Sequence, residues 1–120
     1  DAVESPNAGW VGLSELTLLA DGSLLVVERD NQIALDARIK RLYAFSPSEV
    51  EFAAYGGELP VLSKRLVRDV LGDLEAHSIS VPDKLEGVGL TPSGRLFLAT
   101  DNDGVDENYG ETLFFSLPRR

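Results

Sequence analysis

Cysteine and methionine are both missing from these 120 residues, and histidine and tryptophan occur once each. Without cysteine there is no disulfide framework and no thiolate chemistry, and the redox compartment is left open. The single histidine, His77, lies in a polar connector, which argues against a histidine-centred metal site or triad. No run of 18 apolar residues occurs, so no helical membrane span is expected. No signal-peptide pattern is legible, and with no Met even at position 1 the sequence reads as a processed form or a piece of something longer. Basic charge is scarce: 11 Lys and Arg face 20 Asp and Glu, for a net charge of -9. That balance argues against nucleic acid and against an anionic membrane surface as partners. Gly56-Gly57 has no phosphate-loop pattern around it, and no organic cofactor is expected.

What is present is a globular composition, 43% hydrophobic, in one domain's worth of chain, 1–120. Residues 84–103 organise it. Val88 to Leu90 read as one strand, Pro92-Ser93-Gly94 as a turn, and Leu96 to Ala99 as a second, buried strand. Glu86 precedes the first strand, and Asp101 and Asp103 follow the second. Folding the hairpin brings Glu86 towards Asp101. The layout occurs earlier as well. Superposing Gly22 on Gly94 aligns residues 14–31 without a gap, with Glu15 and Glu28 bracketing the strands and Asp30-Asn31 matching Asn102-Asp103. Repeated short strand units imply a propeller or an array. The expected class is all-β, built from antiparallel hairpin repeats.

Elsewhere, 1–10 reads as an irregular lead-in, and Trp10-Val11 is expected to pack beneath the first hairpin. Residues 32–36 suit a loop or a short edge. Arg38 to Phe45 is expected as a third strand, Val50 to Tyr55 as a weak strand, and Glu111 to Leu117 as the last. Residues 62–74 fit either a helical stripe (Leu62, Leu66, Val70, Leu74) or a strand over 61–70 with a short helix at 71–76; the strand is preferred. Asp103 to Tyr109 reads as an acidic loop. Lys64, Arg65 and Arg68, and Arg38, Lys40 and Arg41, read as solvated faces ahead of phosphate holders.

Carboxylates gathered at one end suit two chemistries. Hard cations such as Ca²⁺ take oxygen ligands, which nominates Glu15, Glu28, Asp30, Asp101 and Asp103 as metal ligands for Ca²⁺ or another divalent cation. Asp101 to Asp106 is not an EF-hand, since Gly104 comes too early and Val105 occupies a ligand position. Two close carboxylates also serve as acid and base, which nominates Glu86 and Asp101 as catalytic. The plainer reading is that these acids cap turns or face solvent.

Five segments in order, Gly12 to Leu16, Val26 to Asp30, Lys64 to Val67, Asp83 to Val88 and Ala99 to Asp103, resemble the phytase-like family. The resemblance runs from about Gly12 to Leu117 and looks like the family's carboxy-terminal portion. It implies about two blades of a β-propeller-like fold, esterase-like chemistry and a periplasmic or secreted location. The family's acidic positions carry over onto Glu15, Glu28, Glu86, Asp101 and Asp103. The function implied is part of a phosphoesterase acting on a phosphorylated small molecule; the alternative is a non-catalytic propeller module for ligand or partner binding. Two blades leave sheet edges open, so edge-strand self-association is also expected.

Overall fold

Two glycines fix the hairpins. Gly22 and Gly94 have φ of +83° and +81°, a left-handed conformation that other residues adopt only under strain. The same pair of backbone hydrogen bonds closes each turn: Leu19 N–H to Ser23 O and Gly22 N–H to Leu19 O, then Thr91 N–H to Arg95 O and Gly94 N–H to Thr91 O. In the computed structural model, which describes residues 5–81, 84–102 and 112–118, these turns join β1 (Val11–Leu18) to β2 (Leu24–Asp30) and β5 (Leu85–Leu90) to β6 (Leu96–Thr100). The strands pair as expected, Leu16 with Val26 and Val88 with Leu98.

The remaining elements are β3 (Lys40–Phe45), β4 (Arg65–Asp69), helix α1 (Leu71–Ala76) and β7 (Phe114–Leu117), with 3₁₀ turns at Ala34–Asp36 and Pro47–Glu49. Two antiparallel meanders result, a four-stranded sheet in the order β1-β2-β3-β4 and a three-stranded sheet in the order β5-β6-β7. The all-β class and the hairpin repeat therefore hold, as does the short helix at 71–76. The repeat extends further than the hairpin. Every paired position of β5-β6-β7 matches one of β1-β2-β3 at an offset of 72 residues, the separation of Gly22 and Gly94. Leu24 opposite Phe45 becomes Leu96 opposite Leu117, and Val27 opposite Leu42 becomes Ala99 opposite Phe114. Each first strand carries a β-bulge at the same place, at Ser14 in β1 and Glu86 in β5.

The core lies between the sheets and under α1. Leu25, Val27 and Leu42 of the first sheet meet Leu85, Leu98 and Leu117 of the second, with Val70 and Leu74 beside them. Ser14 Oγ donates to Leu85 O at 2.8 Å and Thr17 Oγ1 to Val88 O at 3.0 Å, so β1 is stitched to β5 along its length. A buried guanidinium secures the far side. Arg68 Nε and Nη2 donate to the two carboxylate oxygens of Asp73 in α1 at 2.6 and 2.8 Å, and Nη1 donates to Pro118 O at 2.7 Å.

Four expectations need correction. Residues 51–54 have no regular structure, because the Pro47–Glu49 turn and Gly56, at φ +81°, interrupt the run and Phe52 and Tyr55 stay exposed. The preferred strand over 61–70 is confined to Arg65–Asp69. Trp10 is not beneath the hairpin: it is half exposed and lies against Arg29. Lys40 and Arg68 do not belong to solvated faces, since both are buried in ion pairs.

Candidate functional site

β2 ends in three consecutive charged residues, Glu28, Arg29 and Asp30, which are exposed by only 4%, 5% and 0%. Burying a charge is costly unless a partner compensates it. Here each partner comes from a different part of the chain. Alternation along a strand sends Glu28 and Arg29 to opposite faces of the sheet.

Glu28 Oε2 accepts a hydrogen bond from Lys64 Nζ, on the segment leading into β4. That ammonium lies 4.2 Å from the centroid of the Tyr43 ring, a cation–π contact that holds the lysine over the sheet. Glu28 Oε1 is buried without a hydrogen-bond partner among the described residues.

Arg29 points towards the second sheet. Its Nη2 donates to Glu86 Oε1 at 2.7 Å, and its guanidinium carbon sits 4.9 Å from the centroid of the Trp10 ring. Trp10 is itself positioned by Asn31, whose Oδ1 accepts the Trp10 N–H at 3.0 Å. Glu86 occupies the bulge of β5, and the bulge is what turns its side chain to the neighbouring sheet. Buried on one side by Arg29, the Glu86 side chain stays about one-third open to solvent, at 36%.

Asp30 and Lys40 form the most enclosed pair. Lys40 Nζ donates to Asp30 Oδ1 at 2.9 Å and to the carbonyls of Asp30 and Gln32 at 2.8 and 3.0 Å. Asp30 Oδ2 accepts the backbone N–H groups of Arg38 and Ile39 at 2.8 and 3.1 Å. Burial on its own would raise the Asp30 pKa. The Arg38 and Ile39 N–H donors and the Lys40 ammonium outweigh it, and the carboxyl is held below its ordinary value. This pair closes the loop between β2 and β3.

The other expected site residues are distributed as follows. Asp101 is exposed at the end of β6, and its N–H donates to Lys84 O at 2.9 Å, so the hairpin sets it two residues along from Glu86 on the paired strand. Glu15 is partly exposed beside the β1 bulge and accepts the N–H of Leu16 at 2.9 Å. Asp103 and the rest of the acidic loop lie outside the described residues. His77 is exposed and caps the end of α1, with Nδ1 2.8 Å from Asp73 O. Among the described residues, no group of three or more His, Asp and Glu side chains is placed to hold a metal ion. Glu28 and Asp30, two of the five expected ligands, are instead engaged by lysines.

Sequence reasoning found the acids and missed their partners. Arg29 was visible as a lone positive charge between two acids, and alternation alone would have sent it to the face opposite Glu28. Its partner lies 57 residues away across the sheets, and the signal for that contact is the repeat, which places β5 beside β1.

A family model described as phytase-like, esterase-like activity of phytase, matches residues 1–104. The match begins ahead of Gly12, takes in the described acidic and basic residues of this end, and stops short of β7. No curated protein and no solved structure matches the chain. With most of its length covered by that model, the chain belongs to the phytase-like family.

Proposed function

We propose that this chain supplies two consecutive blades of a β-propeller in a periplasmic or secreted phosphoric ester hydrolase that acts on a phosphorylated small molecule. Family membership supports the esterase-like class. The blade reading is supported by two meanders with one register, set side by side along their first strands. The single observation that carries the site is the Arg29–Glu86 pair: a buried guanidinium fixes one oxygen of a carboxylate whose side chain still reaches solvent.

The chemistry needs a proton acceptor and a proton donor. In phosphomonoester hydrolysis a water oxygen bonds to phosphorus while the ester P–O bond breaks. The water's proton goes to a carboxylate, and the departing alkoxide takes one up. Glu86, held by Arg29, is assigned the acceptor role, and Asp101, exposed on the paired strand, the donor role. A divalent cation would help to neutralise the phosphoryl oxygens. Among the described residues, Glu15 and Asp101 are the expected ligands not engaged by a lysine, and two carboxylates fall short of the six to eight oxygens that Ca²⁺ takes. No step is therefore routed through a cation.

Release of inorganic phosphate from p-nitrophenyl phosphate and from phytate, with and without Ca²⁺, tests the assignment. Turnover is expected in the native chain, with a loss of about 10²-fold in Glu86→Gln, the scale of one acid–base group. Phosphate release that is unchanged in Glu86→Gln removes the residue from the chemistry. A second reading, a non-catalytic propeller module, is favoured by one observation: Glu28, Asp30 and Glu86 are all charge-paired. Ligand binding without turnover would select it.

A further inference from the structure

The 72-residue repeat makes one sheet face conspicuous. Leu13, Leu16 and Leu18 of β1 lie in the rows that pair with Glu28, Val26 and Leu24. Their equivalents in the second sheet are Leu85, Val88 and Leu90, the face of β5 that turns towards the first sheet. The environments differ most at the start of the strand, whereas at its end Leu90, like Leu18, is exposed. Leu85 is 0% exposed, and its counterpart Leu13 is 70% exposed. Leu16 and Leu18 are also open to solvent. A second unmatched face lies on the other side of the molecule. The first sheet presents Thr17, Leu25 and Val27 to β5, and the corresponding positions of the second sheet are Gly89, Phe97 and Ala99. Beside them Phe114 is largely exposed and stacks on Phe97, with centroids 5.5 Å apart.

The chain therefore contains one finished sheet-on-sheet junction and the two halves of another. The finished junction is the template. In it, the Thr17 face of one repeat covers the Leu85 face of the next, with Thr17 Oγ1 bonded to Val88 O and Arg29 bonded to Glu86. We propose that a second copy of this chain completes the other, its Gly89–Phe97–Ala99 face covering the Leu13–Leu16–Leu18 face of the first copy in a head-to-tail stack. Adding 72 to one side of the template predicts the contacts. Gly89 takes the place of Thr17 against Leu16. Asp101 takes the place of Arg29 and comes to the β1 bulge at Ser14, where the finished junction has the β5 bulge and its ion pair. Gly89 presents no side chain, and a Cβ built there meets nothing within 4 Å, so this face leaves room for the exposed leucines. The contact is heterologous, so repeated addition closes a ring or grows a filament. The inference rests on the blade reading of the two sheets and is independent of any hydrolase activity.

Sedimentation velocity over a wide concentration range, with the native chain and with Leu16→Asp and Phe114→Asp, tests it. The native chain is expected to sediment as a concentration-dependent oligomer. Each variant alone is expected to sediment as a monomer, because each loses one of the two complementary faces. Mixing the two restores one good junction, so the mixture is expected to stop at a dimer. Both substituted side chains are exposed, and circular dichroism checks that the fold is kept. A second measurement needs no destabilising charge. In this cysteine-free chain, a mixture of Leu16→Cys and Gly89→Cys is expected to form a mixed disulfide that neither forms with Phe52→Cys, a solvent-exposed control. A monomeric native chain at every concentration overturns the proposal. So does association that survives in both variants, or that is lost only when the outer edge is blocked by Val67→Lys.

Discussion

The most informative residues are the buried charges. A fully enclosed lysine is tolerated at position 40 because three oxygens receive its three protons, and Asp30 is tolerated because two backbone N–H groups and that ammonium saturate it. Removing one partner strands the other. Lys40→Met is expected to cost about 3–5 kcal/mol in urea unfolding, the scale for breaking a buried pair from one side. The pH dependence has a defined sign. Asp30 titrates lower in the folded chain than in the unfolded one, so its contribution is fully present above the unfolded value, about pH 4. It is lost as pH falls through the lower, folded value. The stability gap between the native chain and Asp30→Asn, followed by thermal melts, is expected to be constant near neutrality and to shrink only in acid below about pH 4. A gap that shrinks between pH 5 and 7 would assign the effect to another group. At this scale the sequence was legible in part. Carboxylates at strand ends can be read from spacing, whereas the lysine or arginine that neutralises each depends on which face the strand turns inward and on which segment crosses it.

Elements were the most legible level. Glycine at a left-handed turn position, flanked by apolar runs, dictated both hairpins, and the helix after Val70 followed from where the strand signal stops. Gly22→Ala and Gly94→Ala are each expected to lose about 1 kcal/mol, because alanine meets steric cost at φ near +80°. A matching loss at Gly72, which lies within α1 and needs no positive φ, would indicate that backbone strain is not the cause. What the spacing did not reveal was the third strand of the repeat. Arg41 to Phe45 and Leu113 to Leu117 share few residue types, and only the register shows that they occupy equivalent places. Nor did it reveal the bulges. A bulge moves Glu86 out of the simple alternation, so a residue read as one of a bracketing pair with Asp101 turns to Arg29 instead. The segment before β4 misled because its apolar residues, Leu59, Val61 and Leu62, imitate a strand that has no neighbour to pair with.

For the whole molecule, two opposing terms govern the proposed association. Apolar sheet faces favour stacking, and a net charge of -9 on each copy opposes it. Salt screens the second far more than the first, with a Debye length of about 8 Å at physiological ionic strength. Association is therefore expected to strengthen as salt is raised, and an oligomer that dissociates in salt would point to charge pairing in place of stacked faces. The proposed function rests at this scale on one cross-sheet contact. Arg29 of β2 both ties the two sheets together and orients the carboxylate assigned to catalysis. The most direct measurement is a double-mutant cycle on Arg29→Met and Glu86→Gln, read by urea unfolding. A coupling of about 1–3 kcal/mol is predicted, as for groups in direct contact within one ion pair. Costs that simply add, to within about 0.5 kcal/mol, would contradict the contact and with it the site built on Glu86.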